Sequence, residues 1–208
     1  MRFRLALGMI ILTISYGLSL QASTVYNETA QGDLSNSGLN PTRVTVAVGS
    51  NQIFGTTGRD ANGIDRDYFT ITVPTGLQMT SLIELAGTSV GGAVSFLGMQ
   101  AGSQVTVPTS AVDATGLLEW THYGGATTDT DILPGMSIST QGSSGFTPPL
   151  SAGDYSFWIQ DFNTGRFSYG FDLVLAPVAS SVPEPRYYAM MVAGFVALFF
   201  MCTHRGHF

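Results

Sequence analysis

The stretch Asp67-Tyr-Phe-Thr-Ile-Thr-Val73 alternates between apolar and polar side chains over its whole length. Successive side chains of an extended strand point to opposite faces, so each set shares one face. The apolar face carries Phe69, Ile71 and Val73, and the opposite face carries Tyr68, Thr70 and Thr72. This alternation predicts a β-strand that buries one face against a core.

Two later segments, Asp154–Asp161 and Arg166–Leu175, have the same pattern. Three apolar side chains of the first segment share a face, and they are Tyr155, Phe157 and Ile159. Trp158 lies on the opposite face of that strand. The apolar positions of the second segment also alternate, and they are Phe167, Tyr169, Phe171 and Leu173. The short glycine-containing loop Phe162-Asn-Thr-Gly165 between the segments predicts that they form a hairpin.

Five further segments have the composition of short strands bounded by Gly, Pro, Asn and Asp: Arg43–Val48, Thr80–Ala86, Ala93–Met99, Gln104–Val107 and Leu117–His122. No internal repeat is evident, which disfavours a solenoid or a propeller. Many short strands at this spacing predict an all-β domain over residues 24–180. We expect a two-sheet antiparallel β-sandwich of the jelly-roll type.

The composition of the 208 residues excludes several classes of protein. The chain has no lysine and a formal net charge of −6, which argues against a nucleic-acid partner because phosphates require a basic face. A single cysteine, Cys202, rules out an internal disulfide. Its position in an apolar segment indicates a small filler side chain.

The first 23 residues have the features of a secretory signal peptide, which we expect to be helical. Arg2 and Arg4 supply a positive start, and an uncharged apolar run from Leu5 to Leu12 follows. The small residues Ala22 and Ser23 then suit the narrow pocket of a signal peptidase. The chain is therefore predicted to be exported.

The other end contains an uncharged and largely apolar stretch over residues 187–203. At 1.5 Å per residue it reaches about 26 Å as a helix, near the lower limit for crossing a bilayer. Arg205 lies in the short tail 204–208, which predicts a transmembrane helix with a cytoplasmic C-terminus.

Pro183-Glu184-Pro185 directly precedes this stretch. The two prolines prevent helix formation and keep the carboxylate of Glu184 on an extended segment. Together with Val182, the apolar span and the tail, the triplet resembles the PEP-CTERM protein-sorting signal over residues 182–208. The resemblance implies processing near the motif by an exosortase, a membrane-embedded enzyme, after transient anchoring in the inner membrane of a Gram-negative bacterium. It also implies a final location at the cell surface or in an exopolysaccharide matrix.

Two segments of the body, Asp65–Pro74 and Leu150–Ile159, carry a second resemblance. The first has an Asp-x-Asp-aromatic entry to a strand, and the second contains Gly-Asp-Tyr-x-Phe. They look like the signature strands of bacterial pre-peptidase C-terminal-like domains, which are small secreted β-sandwiches. The resemblance covers about residues 43–176 and implies an accessory, non-catalytic module.

One loop suggests a metal site. Asp60, Asn62, Asp65 and Asp67 lie within eight residues around Gly63, and hard oxygen ligands on a turning loop suit Ca²⁺. The spacing is not that of an EF-hand, and Asp and Asn also serve ordinary turns. A second acidic set, Asp129 and Asp131, is a weaker calcium candidate. Structural calcium at the first loop is therefore one hypothesis, and no other cofactor is expected.

Candidates for catalysis and glycan binding remain as alternatives. His122 is the histidine of the body, and no nucleophile motif accompanies it, so we expect it at a strand edge. Glu84 and Glu119 are candidate acids of a secreted carbohydrate-active enzyme. Four aromatic residues could stack on sugars or fill the core, and they are Trp120, Tyr123, Trp158 and Tyr169. The leading prediction is an exported, non-enzymatic envelope or matrix protein, and the alternatives are that enzyme or an uncut, membrane-anchored glycan-binding module.

Overall fold

The strands of this protein form a mostly antiparallel β fold. A computed structural model describes residues 21–138, 142–179 and 190–196. The elements of the described body are β1 Ser23–Asn27, α1 Glu28–Gln31, β2 Thr42–Val44, β3 Gly49–Asp60, β4 Gly63–Val73, β5 Leu77–Glu84, β6 Ser95–Ala101, β7 Glu119–Tyr123, β8 Gly153–Gln160 and β9 Gly165–Pro177. Two short 3₁₀ turns cover Gly125–Thr127 and Gly135–Ser137. The prediction of an all-β domain is confirmed at this level.

The strands lie in the order β5-β9-β3-β4-β8-β6-β7, and each pair along this path is antiparallel. β3 and β4 start as a hairpin in which 58–60 pair with 63–65, and β4 then pairs with β8 from Arg66 onward. The hairpin therefore joins two groups of strands, which we call sheet A (β1, β3, β5 and β9) and sheet B (β2, β4, β6, β7 and β8). β1 runs parallel to β3, and β2 runs parallel to β4.

Side chains from both sheets form one main core. Phe69 of β4 stacks on Phe157 of β8, with ring centroids 4.8 Å apart and an angle of 11° between the planes. Phe171 and Leu173 of β9 belong to the same buried cluster. The predicted faces of β4 and β8 are confirmed, because the alternate apolar residues of each strand meet in this cluster. The face of β9 is confirmed from Tyr169 onward, whereas Phe167 is half-buried outside the cluster.

The opposite face of sheet B carries a smaller apolar cluster. Trp158 of β8 and Tyr68 of β4 stack with centroids 5.6 Å apart. Val105, Val107 and Leu117, from the connection between β6 and β7, cover them. Sheet B is therefore buried on both faces, and the predicted placement of Trp158 away from Phe157 is confirmed.

Two predictions about strands are wrong. Gln104–Val107 is not a strand but part of the connection that covers the second cluster. The segments 154–161 and 166–175 do not form a hairpin, because β8 pairs with β4 and β6 whereas β9 pairs with β3 and β5. The short loop instead passes from sheet B to sheet A, and both carboxylate oxygens of Asp161 accept hydrogen bonds there, from Gly91 N, Ser95 Oγ and Asn163.

The longest strand of the first half was not predicted. β3 pairs with β9 over ten residues, although its sequence Gly49-Ser-Asn-Gln-Ile-Phe-Gly-Thr-Thr-Gly58 resembles a loop in composition. The predicted strand 43–48 is reduced to Thr42–Val44, while Val46 still packs in the core. The remaining predicted strands are present with shifted ends.

The terminal predictions lie largely outside the described residues. These include residues 1–20 of the signal peptide, the motif 182–185 and the tail 204–208. Residues 190–196 are helical. Within the described part of the chain, no helix combines the length and apolar character needed to cross a bilayer. The transmembrane helix over 187–203 thus stays a prediction.

Phe157→Ala tests the importance of the stacked pair in the main core. Phe157 is fully buried, so truncation leaves a cavity and is expected to lower the free energy of unfolding by about 3–5 kcal/mol. The control is Phe162→Ala, which removes a half-exposed ring from the loop and is expected to cost under about 0.5 kcal/mol. Urea denaturation measures both, and equal losses would contradict this assignment of the core.

Candidate functional site

Three carboxylates meet where sheet A, sheet B and the N-terminal segment come together. They belong to Glu28 in α1, Asp33 after α1 and Asp67 in β4, and one oxygen of each lies within 4.8 Å of the others. Asp33 is exposed, Glu28 is half-buried and Asp67 is fully buried. We call these three residues the acidic cluster.

Backbone amides from two directions hold Glu28 in this place. Glu28 Oε1 accepts a hydrogen bond from Leu34 N at 3.0 Å, and Glu28 Oε2 accepts one from Thr56 N in β3 at 2.7 Å. Asn27 caps the single turn of α1 by accepting from Thr29 N. The glutamate therefore fastens the segment after β1 to the middle of β3.

Asp67 enters the cluster from the core side. It shares the inward face of β4 with Phe69 and Ile71, so the strand directs its carboxyl group into the interior. Asp67 Oδ2 accepts a hydrogen bond from the hydroxyl of Tyr169 in β9 at 2.7 Å, which links sheet B to sheet A. Asp67 Oδ1 is buried and has no hydrogen-bond partner.

Gly55 of β3 makes room for this arrangement. A Cβ atom at Gly55 would lie 2.3 Å from the hydroxyl oxygen of Tyr169 and 3.0 Å from the carboxyl carbon of Glu28. Real Cβ contacts are never as short as the first distance, so any larger residue would displace the tyrosine. The glycine in the middle of this strand is explained by the close approach of these two side chains.

The cluster is electrostatically unfavourable without a counter-charge. Burial, and then the charge of Glu28, raise the pKa of Asp67 to about 9. Burial also raises the pKa of Glu28, and Asp33 and Asp65 add to this effect. Burial is likewise the main cause that raises the pKa of Tyr169 well above its usual range. In the absence of a cation, Asp67 is therefore protonated at neutral pH.

A groove of about 480 Å³ opens beside the cluster. Glu28, Asp33 and Tyr169 line it, together with Arg166 of β9. The guanidinium group of Arg166 lies 3.6 Å from Asp65 Oδ2 and donates to Thr56 Oγ1 at 3.1 Å. Burial raises the pKa of Asp65, and the positive charge of Arg166 at the rim offsets part of this rise.

The structure divides the four residues predicted as calcium ligands. Asp60 Oδ1 accepts from Asn62 N in the turn between β3 and β4, the ordinary use of Asp in a turn. Asp65 contacts Asn36 and Arg166. Of the four, Asp67 alone belongs to the acidic cluster among the described residues.

The second predicted acidic set is also part of the backbone structure. Asp131 Oδ1 accepts from Leu82 N and Leu133 N, which ties the loop after β7 to β5. Asp129 adopts a positive φ of 59°, a conformation that Asp tolerates. These contacts explain both residues without an ion.

Glu84 and Glu119 are fully buried and hydrogen-bonded. Glu84 accepts from Gly124 N at 3.0 Å and from the hydroxyl groups of Thr127 and Thr128. Glu119 accepts from Trp120 N and from Ser143 Oγ. These hydrogen bonds to backbone amides and hydroxyl groups hold both carboxylates inside the protein.

His122 lies exposed on β7, at one end of the strand order, as predicted. Its Nδ1 is 3.3 Å from the carbonyl oxygen of Ser95, and its ring packs edge-on against Trp120. Neither contact supplies the hydroxyl nucleophile that a catalytic histidine would activate.

The four predicted stacking aromatics fall into two places. Tyr123 and Tyr169 are in the main core. Trp120 and Trp158 instead line a second groove of about 240 Å³, which we call the aromatic groove. Phe96 stacks on Trp120 with centroids 5.9 Å apart, and His122, Gln160 and Asp113 add polar groups to the lining.

Sequence reasoning missed Glu28 and Asp33 as members of a site. They precede Asp67 by more than thirty positions and lie in a segment without alternation. The local signals are the Asn27 cap followed by Glu28, which identify a helix start rather than a ligand group.

No known protein-family model matches the chain, and no curated protein or solved structure shows significant similarity to it. The fold and the site define a β protein with a partly buried group of carboxylates. What that group does must follow from its contacts and charges.

The raised pKa of Asp67 predicts how stability depends on pH in EDTA. Folded Asp67 keeps its proton up to about pH 9, whereas the unfolded chain loses it near 3.8. Unfolding therefore releases a proton between these values, and stability falls as pH rises. We expect Tm to drop by about 10 °C between pH 5 and pH 8 in thermal melts followed by circular dichroism.

Asp67→Asn is the control for this pH dependence. It keeps an acceptor for Tyr169 but does not titrate, so the fall should become much smaller. The titratable groups that interact with Asp67 are unchanged in the variant, and they are Tyr26, Glu28, Asp33, Asp65, Tyr123 and Tyr169. An unchanged slope would show that Asp67 is not the group responsible.

Proposed function

We propose that this protein is an exported, non-catalytic envelope or matrix protein sorted by an exosortase. The observation that carries the proposal is the triplet Pro183-Glu184-Pro185 directly before a terminal apolar stretch. The chain divides into two compact units, which supports the proposal, because the first unit ends at Pro177 and the second begins at Val178. A processing site near residue 185 would thus lie outside the unit that contains the strands.

The proposed mechanism is one of delivery. The signal peptide over residues 1–23 would direct export, and a helix over residues 187–203 would hold the precursor in the inner membrane. An exosortase would then act near the proline-flanked Glu184, since two prolines disfavour a helix at such a sequence. The strands would form a jelly-roll-like sandwich that is released to the cell surface or matrix.

The contacts of the two buried glutamates favour this proposal over a carbohydrate-active enzyme. Glycoside hydrolysis needs two carboxyl groups that face a bound sugar across a cleft. Glu84 and Glu119 accept hydrogen bonds from backbone amides and hydroxyl groups inside the protein. These contacts support structural roles.

The aromatic groove favours glycan binding as the molecular role. Sugars bind by stacking their apolar faces on aromatic rings while polar side chains contact their hydroxyl groups. Trp120 is partly exposed at the groove, and His122 and Gln160 lie beside it. An exopolysaccharide is the ligand class that agrees with the proposed location. An uncut, membrane-anchored glycan-binding module would use the same groove, and processing distinguishes it.

Combined replacement of Pro183, Glu184 and Pro185 by alanine tests the sorting proposal. The variant loses the rigid extended carboxylate, so we expect the precursor to accumulate in the membrane with Phe208 still present. Mass spectrometry of the protein from its host measures this, and the wild type should end near residue 185. The control replaces Ser180 and Ser181 by alanine in the same segment and should be processed normally. A wild-type chain that retains Phe208 would favour the uncut module.

Trp120→Ala tests the aromatic groove. Affinity electrophoresis in gels containing β-glucan, galactomannan or alginate should show binding that the variant weakens about tenfold or more. His122→Ala, at an exposed position, should weaken binding without affecting the fold. Phe162→Ala removes a half-exposed aromatic outside the groove and should have no effect. Binding that neither groove variant alters would place glycan recognition elsewhere.

A further inference from the structure

We propose that the acidic cluster of Glu28, Asp33 and Asp67 binds a calcium ion, which fastens the segment around α1 to both sheets. This inference goes beyond the proposed function and does not depend on sorting or glycan binding. It differs from the calcium hypothesis drawn from the sequence, since it retains Asp67 alone of the four residues proposed there.

The spacing of the carboxylates suits one calcium ion. Calcium binds oxygen at about 2.3–2.6 Å, so two ligands on opposite sides of the ion are about 5 Å apart. The three oxygens of the cluster lie within 4.8 Å of one another, which one ion in their midst can span. Magnesium usually keeps several of its waters and binds through only one or two carboxylates, so three converging carboxylates favour calcium over magnesium.

A buried oxygen without a partner is the second, independent observation. Asp67 is fully buried, its Oδ2 accepts from Tyr169, and its Oδ1 has no hydrogen-bond partner. Nearly all buried polar atoms in proteins are satisfied, and an exception requires an explanation. A cation among the three carboxylates would satisfy Asp67 Oδ1 and offset the cost of burying its charge.

The surrounding groups do not supply that charge. Arg166 is the cation that lines the adjoining groove, and its guanidinium contacts Asp65 and Thr56 instead of Asp67. The backbone amides of Leu34 and Thr56 each engage one oxygen of Glu28. The hydroxyl of Thr56 also donates to Glu28 Oε2, at 3.3 Å. A carboxylate oxygen has two lone pairs, so the one that Glu28 keeps for an ion is on Oε1.

The chemistry and access of the site also agree with calcium. All three side chains supply hard oxygen atoms, which calcium prefers and which suit zinc less well. Calcium takes six to eight ligands, and the exposed carboxylate of Asp33 leaves one side open for water to complete the shell. Extracellular calcium modules bind in the range of about 10⁻⁴–10⁻³ M, which suits the export proposed for this chain.

An ion at this position would couple the N-terminal segment to the sheets. Glu28 and Asp33 flank α1, and Asp67 connects through Tyr169 to β9. β1, which precedes α1, pairs with residues 51–54 of β3. Removing calcium is therefore expected to loosen β1 and α1 before the main core.

The test uses the full chain, purified in detergent, freed of metal with EDTA and titrated with CaCl₂. We expect calcium to raise Tm by about 5 °C or more, as ligand binding to the folded state requires. Tb³⁺ should bind at the same place and emit when tyrosine is excited, because Tyr169 contacts Asp67 at 2.7 Å. Added calcium should displace this emission.

Two matched variants locate the ion. Asp33→Asn changes an exposed ligand and should weaken calcium binding at least tenfold. It should not lower Tm in EDTA, because it removes a charge that repels Glu28 and Asp67. Asp60→Asn removes the same charge from the nearby turn and should bind calcium as the wild type does. Loss of binding in Asp60→Asn but not in Asp33→Asn would overturn the proposal in favour of the loop site predicted from the sequence.

Asp67→Asn provides a second test that does not depend on a change in affinity alone. The amide removes the buried carboxyl, so in EDTA the variant should be at least as stable as the wild type at pH 8, yet calcium should no longer raise its Tm. Calcium that leaves the wild-type Tm and the Tb³⁺ emission unchanged would overturn the proposal. All these measurements use purified protein, so failure of sorting or of glycan binding would not affect them.

Discussion

The hydrogen bond from Tyr169 to Asp67 is the contact that joins the two sheets at the acidic end of the core. Its donor lies on β9 of sheet A and its acceptor on β4 of sheet B. Both groups are removed from water, so neither can exchange this bond for one to solvent without opening the domain. The close approach also requires the absence of a side chain at Gly55. This buried polar pair thus constrains one position on each of three neighbouring strands, and these are Gly55 of β3, Asp67 of β4 and Tyr169 of β9.

The position of Asp67 follows from strand alternation. Phe69, Ile71 and Val73 fill the core, and two residues earlier the same face must carry Asp67. A carboxyl group at a core position conflicts with the binary pattern of the strand, and such conflicts occur at functional sites. The same alternation places Tyr68 and Thr70 on the outer face, where Tyr68 helps to form the surroundings of the aromatic groove. The two candidate sites therefore lie on opposite faces of sheet B.

The alternation of apolar and polar residues predicts the strands in which it is strong, but it does not predict which strands pair with each other. The faces of β4, β8 and β9 could be read from the sequence because each packs one regular apolar row into the core. β3 could not, because its extended form depends on pairing with β9 and not on its own composition of glycine, serine and threonine. The short loop 162–165 suggested a hairpin, but loop length does not reveal that the chain crosses between sheets. The acidic cluster could not be predicted from the sequence for a similar reason, since Glu28 comes close to Asp67 only in the folded structure.

The N-terminal segment has few apolar side chains with which to hold itself in place. Tyr26 and Leu34 are its buried hydrophobic residues, and Val25 is partly buried. Residues 51–54 of β3 pair with β9 along one edge, and β1 pairs with the opposite edge of the same residues. An uncovered strand edge offers unpaired amide and carbonyl groups to other chains, which promotes aggregation. The hydrogen bonds of Glu28 therefore do more than fix one turn of helix, because they keep the edge of β3 paired. A cation at the cluster would strengthen this attachment in a chain whose single cysteine cannot form an internal disulfide.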